Sequence, residues 1–159
     1  MTSPTETSET TVRKQITVNA PIAKAFEVFT TRFDSWWPRS HHIASVDMAE
    51  AILEQRAGGR WYERGVDGSE CEWGKVLEFD PPSHLALSWH INADFKHDPG
   101  PASRIDVWFT EERAGVTRVE LAHSELDRHG ENWRKLRDGV DSGGGWEALL
   151  ARYGEVLAG

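Results

Sequence analysis

From Thr11 the chain alternates: Val12, Lys14, Ile16 and Val18 fall on one side, Arg13, Gln15 and Thr17 on the other. A period of two with one half-apolar face predicts a half-buried strand. Asn19-Ala20-Pro21 then reads as a turn into a helix, because proline is tolerated in a first turn whose N–H groups lack intrahelical partners. Ile22, Ala25, Phe26, Phe29 and Phe33 follow at offsets 3, 4, 7 and 11, one stripe of an amphipathic helix. Asp34 to Pro38 (DSWWP) ends that segment, since proline disfavours helix at the residue before it.

Short strand-like runs then repeat to about residue 124, near 48–56, 60–66, 70–79, 84–93, 104–112 and 116–124. Turn chemistry separates them: Gly58-Gly59, Asp67-Gly68, Pro81-Pro82, Pro99-Gly100-Pro101 and Ala114-Gly115. Connections this short require antiparallel neighbours, because a parallel pair needs a crossover of about a dozen residues or more. Three runs carry apolar sets at period two: Leu85, Leu87, Trp89 and Ile91; Trp73, Leu77 and Phe79; Ile105, Val107 and Phe109. A polar helical stretch at about 129–140 and the break Gly143-Gly144-Gly145 come next. Trp146, Leu149, Leu150, Tyr153, Val156 and Leu157 then fall at offsets 0, 3, 4, 7, 10 and 11, the clearest helix in the chain. Its oily face has one large partner, the face of the sheet. The fold class is therefore α+β: a strand, two short helices, a six-strand meander, and a long C-terminal helix on a curved antiparallel sheet. Where a straight helix lifts from a curved sheet, a cavity lined by apolar and aromatic side chains is expected.

Composition narrows the function classes. A length of 159 residues fits a single domain at 11–159, behind a polar tail at 1–10 (MTSPTETSET) expected to be disordered. No run of apolar residues is long enough to span a membrane, and the N-terminus lacks the basic start and apolar stretch of a signal peptide. The 18 basic residues are scattered among 26 acidic ones, for a net charge of -8, which argues against nucleic acid or an anionic membrane as partner. Lone Cys71 forms no internal bridge, so a cytoplasmic, reducing setting is expected. Flanking Glu70 and Glu72 would disfavour its thiolate, and it reads as structural.

Eight tryptophans are the unusual feature: Trp36, Trp37, Trp61, Trp73, Trp89, Trp108, Trp133 and Trp146. An indole offers a broad apolar face and one N–H donor, suited to core packing or to stacking on a flat ligand. Trp36 and Trp37 are expected on a loop over the cavity mouth, Trp73 and Trp89 on the sheet, and Trp146, Leu150 and Tyr153 on the helix stripe. His123 follows Val119 and Leu121 at period two and is expected to point inward; these eight form the candidate ligand-binding set. His41-His42 is a poor metal clip, because neighbouring side chains diverge, and no zinc-binding or phosphate-loop spacing occurs. No metal, no cofactor and no catalytic residue is assigned. Arg104, Asp106 and Trp108 should share the outer face of the sheet.

Six segments in order resemble one family: Asn19-Ala20-Pro21 opening a helix, Trp36-Trp37-Pro38, Gly58-Gly59-Arg60-Trp61, Gly74 to Pro82 running on into Leu85 to Trp89, Val116 to Leu121, and Gly144-Gly145-Trp146. The set resembles the activator-of-heat-shock-protein-90-ATPase homologue family, of the START-like, birch-pollen-allergen-like superfamily, over about residues 11–157. The resemblance implies the helix-grip fold and a START-like ligand-binding domain. The reading it favours is non-catalytic binding of a small hydrophobic or aromatic ligand between sheet and C-terminal helix. A superfamily enzyme, cyclase- or hydrolase-like and using a pocket His or Tyr such as His123 or Tyr153, is the alternative. A co-chaperone-like module that stimulates a heat-shock-protein ATPase is another. The outer sheet face leaves room for a homodimer.

Overall fold

The computed structural model describes residues 10–100 and 102–158. The tail read over residues 1–10 thus lies outside them except for Thr10, whose carbonyl accepts the Leu126 N–H at 3.1 Å. The elements run β1 (Val12–Val18), α1 (Ile22–Thr30), α2 (Phe33–Trp36), β2 (Met48–Leu53), β3 (Arg60–Gly65), β4 (Glu70–Asp80), β5 (His84–Trp89), β6 (Ser103–Arg113) and β7 (Val116–Ser124). A single 3-10 turn (Leu126–His129), α3 (Trp133–Asp141) and α4 (Trp146–Ala158) complete the chain. The seven strands form one antiparallel sheet in the order β1-β7-β6-β5-β4-β3-β2. Among the described residues, no helix is long and apolar enough to cross a membrane.

The period-two sets mark the concave face. Leu85, Leu87, Ile105, Val107, Val119 and Leu121 are all buried there, aligned by the pairs Leu87↔Ile105 and Val107↔Leu121. The set Trp73, Leu77, Phe79 needs correction. Two register shifts make Trp73 and Leu77 the extra residues of bulges in β4. Each bulge advances the side-chain phase by one, so Trp73, Val76 and Phe79 pack inward at intervals of three while Leu77 is 41% exposed. Bulges also bend a strand, and these two help curl the sheet around its helices.

The helices fill the concavity. Phe26 and Phe29 of α1 pack edge-on against Phe109, at 5.1 and 5.6 Å between ring centroids. Gly154 of α4 lies so close to β1 that a Cβ there would stand 2.8 Å from Ile16 Cδ1. Tyr153 donates its hydroxyl to the Ala25 carbonyl at 2.6 Å, tying α4 to α1. The polar helical stretch read at 129–140 is divided, because Gly130, at φ 91°, interrupts it between the 3-10 turn and α3. Strand β5 stops at Trp89 rather than 93, since the chain turns back on itself through the bridge Ile91↔His97.

Candidate functional site

A cavity of about 360 Å³ opens at the N-terminal end of α4. Its walls come from the 37–43 loop, β4, β5, the loop after β5, and the α3–α4 junction. Trp37, Trp73, Trp89 and Trp146 line it together with Ile43, Ile91, Leu149, Val140 and Phe95. Phe95, 49% exposed and held at φ 57°, lies at the rim near Gly139.

All four indole N–H groups are committed within the protein. Trp37 donates to the His41 carbonyl (2.9 Å), Trp73 to Glu63 Oε1 (2.8 Å), Trp89 to the Ile91 carbonyl (2.8 Å) and Trp146 to His123 Nδ1 (3.1 Å). The cavity is therefore walled by ring carbon rather than by free donors, and it favours a guest that presents flat apolar surface.

Glu63 holds the loop in place. It is 1% exposed; its Oε1 accepts the Ile43 N–H (2.7 Å) as well as the Trp73 indole, and its Oε2 accepts the Ala44 N–H (3.3 Å). A buried carboxylate is tolerated where hydrogen bonds satisfy its lone pairs, as they do here. Sequence reading passed over Glu63, although its period-two relation to Trp61 places both on the inner face. Ser40, His41, His42, Ile43, Phe95, Val140 and Leu149 were also missed as lining residues. A lone aromatic in the polar run Asn92 to Asp98 was a usable signal for Phe95.

The expected site residues divide. Trp37, Trp73, Trp89 and Trp146 line the cavity; Trp36, His123, Leu150 and Tyr153 do not. Trp36 is interior, with its N–H on the Val28 carbonyl (3.2 Å) and its ring against Phe29 and Phe33. The cavity reaches only the first turn of α4, so Tyr153 is buried below it, and burial raises its phenol well above the usual range. Leu150 faces the β1 side of α4, beside Lys14 and Ile16. His123 points inward, as its spacing predicted, and sits behind the cavity wall with its ring 5.1 Å from Trp89 and 6.0 Å from Trp146.

A directed hydrogen-bond chain runs behind that wall. An indole N–H can only donate, so Trp146 fixes Nδ1 of neutral His123 as an acceptor and places the proton on Nε2. Nε2–H then donates to Ser103 Oγ (2.7 Å), and the serine hydroxyl donates to His129 Nε2 (2.8 Å). His129 Nδ1, at the end of this hydrogen-bond chain, is buried without a partner among the described residues. Burial, with repulsion from His129 added, lowers the His123 pKa from 6.5 to about 3, so this imidazole is neutral under ordinary conditions.

Elsewhere, burial raises the Cys71 thiol, with Glu63 adding to the effect. The acid that faces Cys71 is thus its cross-strand partner, rather than the flanking Glu70 and Glu72 invoked from the sequence. Among the described residues one group has metal-ligand spacing: Glu78, His84 and Asp106, with donor atoms within 4.8 Å of one another on the outer sheet face. Arg104 bonds both carboxylates, at 2.6 Å to Glu78 and 2.9 Å to Asp106, so the guanidinium already supplies the cation that balances them.

The chain resembles known proteins along nearly its whole length. It is 41% identical to the solved anthrahydroquino-gamma-pyrone synthase Txn09, complexed with SUM, over 92% of this chain and 96% of that one, with a TM-score of 0.65. It is 30% identical to CalC, a self-sacrificing resistance protein from Micromonospora echinospora, over 94% of each chain, with a TM-score of 0.70. A protein from Arthrobacter aurescens shares the fold at 14% identity and a TM-score of 0.66, over 94% of this chain and 87% of that one. No curated protein matches by sequence. The fold is the helix grip, with a curled seven-strand sheet around a long C-terminal helix. The profile described as Activator of Hsp90 ATPase homolog 1-like protein matches residues 19–158, and the chain belongs to that family.

Proposed function

We propose that this protein binds a planar, largely apolar polycyclic aromatic molecule in the cavity at the N-terminal end of α4 and holds it without transforming it. The observation that carries the reading is the set of four indoles whose N–H groups all turn to partners inside the protein. Such walls attract a flat guest through dispersion and ring-edge contacts, and ask little of it in hydrogen bonding. A volume of about 360 Å³ lies within the range of small-molecule sites. Burying about 200 Å² of guest surface would contribute about 5 kcal/mol before ordering costs. The likeness to a synthase named for a fused aromatic pyrone supports the same guest class.

Titration with anthraquinone, read by tryptophan emission, tests the proposal. One saturable site is expected, weakened about ten-fold or more in Trp89→Ala. Trp108→Phe, on the outer face, should leave it unchanged. Emission that falls only linearly with probe, with no thermal shift, would overturn the reading.

A ring-forming enzyme is the second reading, favoured by the 41% identity to a synthase and by the two imidazoles, His41 and His42, in the cavity wall. His123 and Tyr153 do not serve it, since neither lines the cavity. Mass spectrometry of a polyketide-type guest recovered from the protein separates the readings: unchanged mass and connectivity support binding, loss of water or a new ring supports catalysis.

A further inference from the structure

We infer that His42 is the polar recognition residue of this cavity, accepting a hydrogen bond through Nε2 from an acidic hydroxyl, phenolic or enolic, on the aromatic guest. The inference rests on the proposed binding of an aromatic molecule and names the functional group that tightens the hold on that guest.

Most polar side-chain atoms in the lining already have partners. The indole donors are taken, as described. His41 is fully used: its Nε2 lies 3.0 Å from the Gly144 carbonyl, and a carbonyl only accepts, so the proton is on Nε2. The lone pair on His41 Nδ1 then takes the Ser40 hydroxyl at 3.1 Å, which also uses the Ser40 donor. His42 differs. Its Nδ1 lies 2.9 Å from the Ala44 carbonyl and must carry the proton there. In the neutral ring Nε2 therefore has a lone pair, and no described residue is paired with it. His42 lines the cavity, so this is the one side-chain lone pair of its imidazoles left for a guest.

Charge reinforces the assignment. Glu63 Oε2 stands 4.0 Å from His42 Nδ1, the ring nitrogen that carries the proton. Its carboxylate is 1% exposed and is fixed by the Ile43 and Ala44 N–H groups. As a guest hydroxyl shares its proton with Nε2, positive charge grows on the imidazole beside a buried negative one. The arrangement rewards an acidic hydroxyl over an ether or a methyl group, because only the hydroxyl draws on that charge. The same loop carries both halves of the device: Ile43 and Ala44 bind Glu63, and His42 immediately precedes them.

Two matched probes test this, 2-naphthol and 2-methoxynaphthalene, which differ by a donor. Both should bind the unmodified protein, with the ratio of affinities favouring 2-naphthol. In His42→Phe that ratio should fall about ten-fold, the equivalent of one hydrogen bond, while 2-methoxynaphthalene binding holds within about two-fold. Emission from bound 2-naphthol, excited beyond indole absorption, adds a signature that loss of shape alone would not move. An imidazole acceptor yields naphtholate emission from the unmodified protein, and His42→Phe returns it to the neutral form. If that variant does not fold, the probe ratio and naphtholate emission of the unmodified protein decide. Equal affinities with neutral-form emission would overturn the role of His42 and leave the aromatic site standing. Failure of both probes to bind would remove the aromatic site, and this inference with it.

Discussion

His123 shows how one side chain sets the acid sensitivity of the fold. Its pKa in the folded state is about 3, against 6.5 ordinarily, because burial and the neighbouring His129 oppose its charging. As pH falls below about 6.5 the unfolded chain takes up a proton that the folded chain refuses until about 3, so stability present at neutral pH is lost across that window. One proton corresponds to about 1.4 kcal/mol per pH unit, so about 2 kcal/mol should disappear between pH 6.5 and 5. His129, lowered chiefly by burial, steepens the loss. Urea midpoints at pH 7 and pH 5 measure it, and His123→Gln should flatten the difference; equal slopes for both proteins would refute the assignment. Tyr153 gives a companion test. Removing its hydroxyl in Tyr153→Phe deletes the bond to Ala25 and should lower stability by about 1 kcal/mol, with anthraquinone affinity unchanged because the residue lies outside the cavity.

At the scale of elements, glycine positions separate what is packed from what is loose. A Cβ on Gly145 would run into the carbonyl of Val140, whereas one on Gly143 would meet nothing within 4 Å. Gly143→Ala is expected to change the unfolding free energy, read from urea titration, by less than about 0.5 kcal/mol, and Gly145→Ala to lower it by about 3 kcal/mol and to weaken the probe site. The sequence marked Gly143-Gly144-Gly145 as a break before the last helix; the structure makes the last of them a contact that seats the first turn of α4. A similar limit applies to β4. Its existence was legible from Trp73 to Phe79, but the bulges at Trp73 and Leu77 were not, because register depends on partners far away in sequence. Trp37 was expected on a loop over the cavity mouth and lines the cavity, but Ser40 to Ile43 of that loop escaped for the same reason. Its path is fixed by Glu63, 20 residues from Ile43 along the chain.

Across the whole molecule, strand and helix periodicity sufficed for the order of elements, because each has a face that must be buried and a single concave sheet can bury them all. The aromatic lining was half legible for a different reason: tryptophan content says that indoles will cluster but not which of them border a void. A guest in that void adds its binding energy to the stability of the fold. At a hundred-fold excess over Kd the gain is about 2.7 kcal/mol, or roughly 5–10 °C in Tm for a chain of this length. Scanning calorimetry with anthraquinone checks this, and the ten-fold weaker binding expected of Trp89→Ala should cut the shift by about half or more.

Six of the eight indoles form an unbroken series, Trp36–Trp37–Trp73–Trp61–Trp89–Trp146, with centroids 5.0 to 5.8 Å apart from one ring to the next. At such spacing an excited ring hands its energy to the next before it emits. An occupant touching any one of them drains light from the rest, so the protein carries its own optical gauge and announces a visitor without a label.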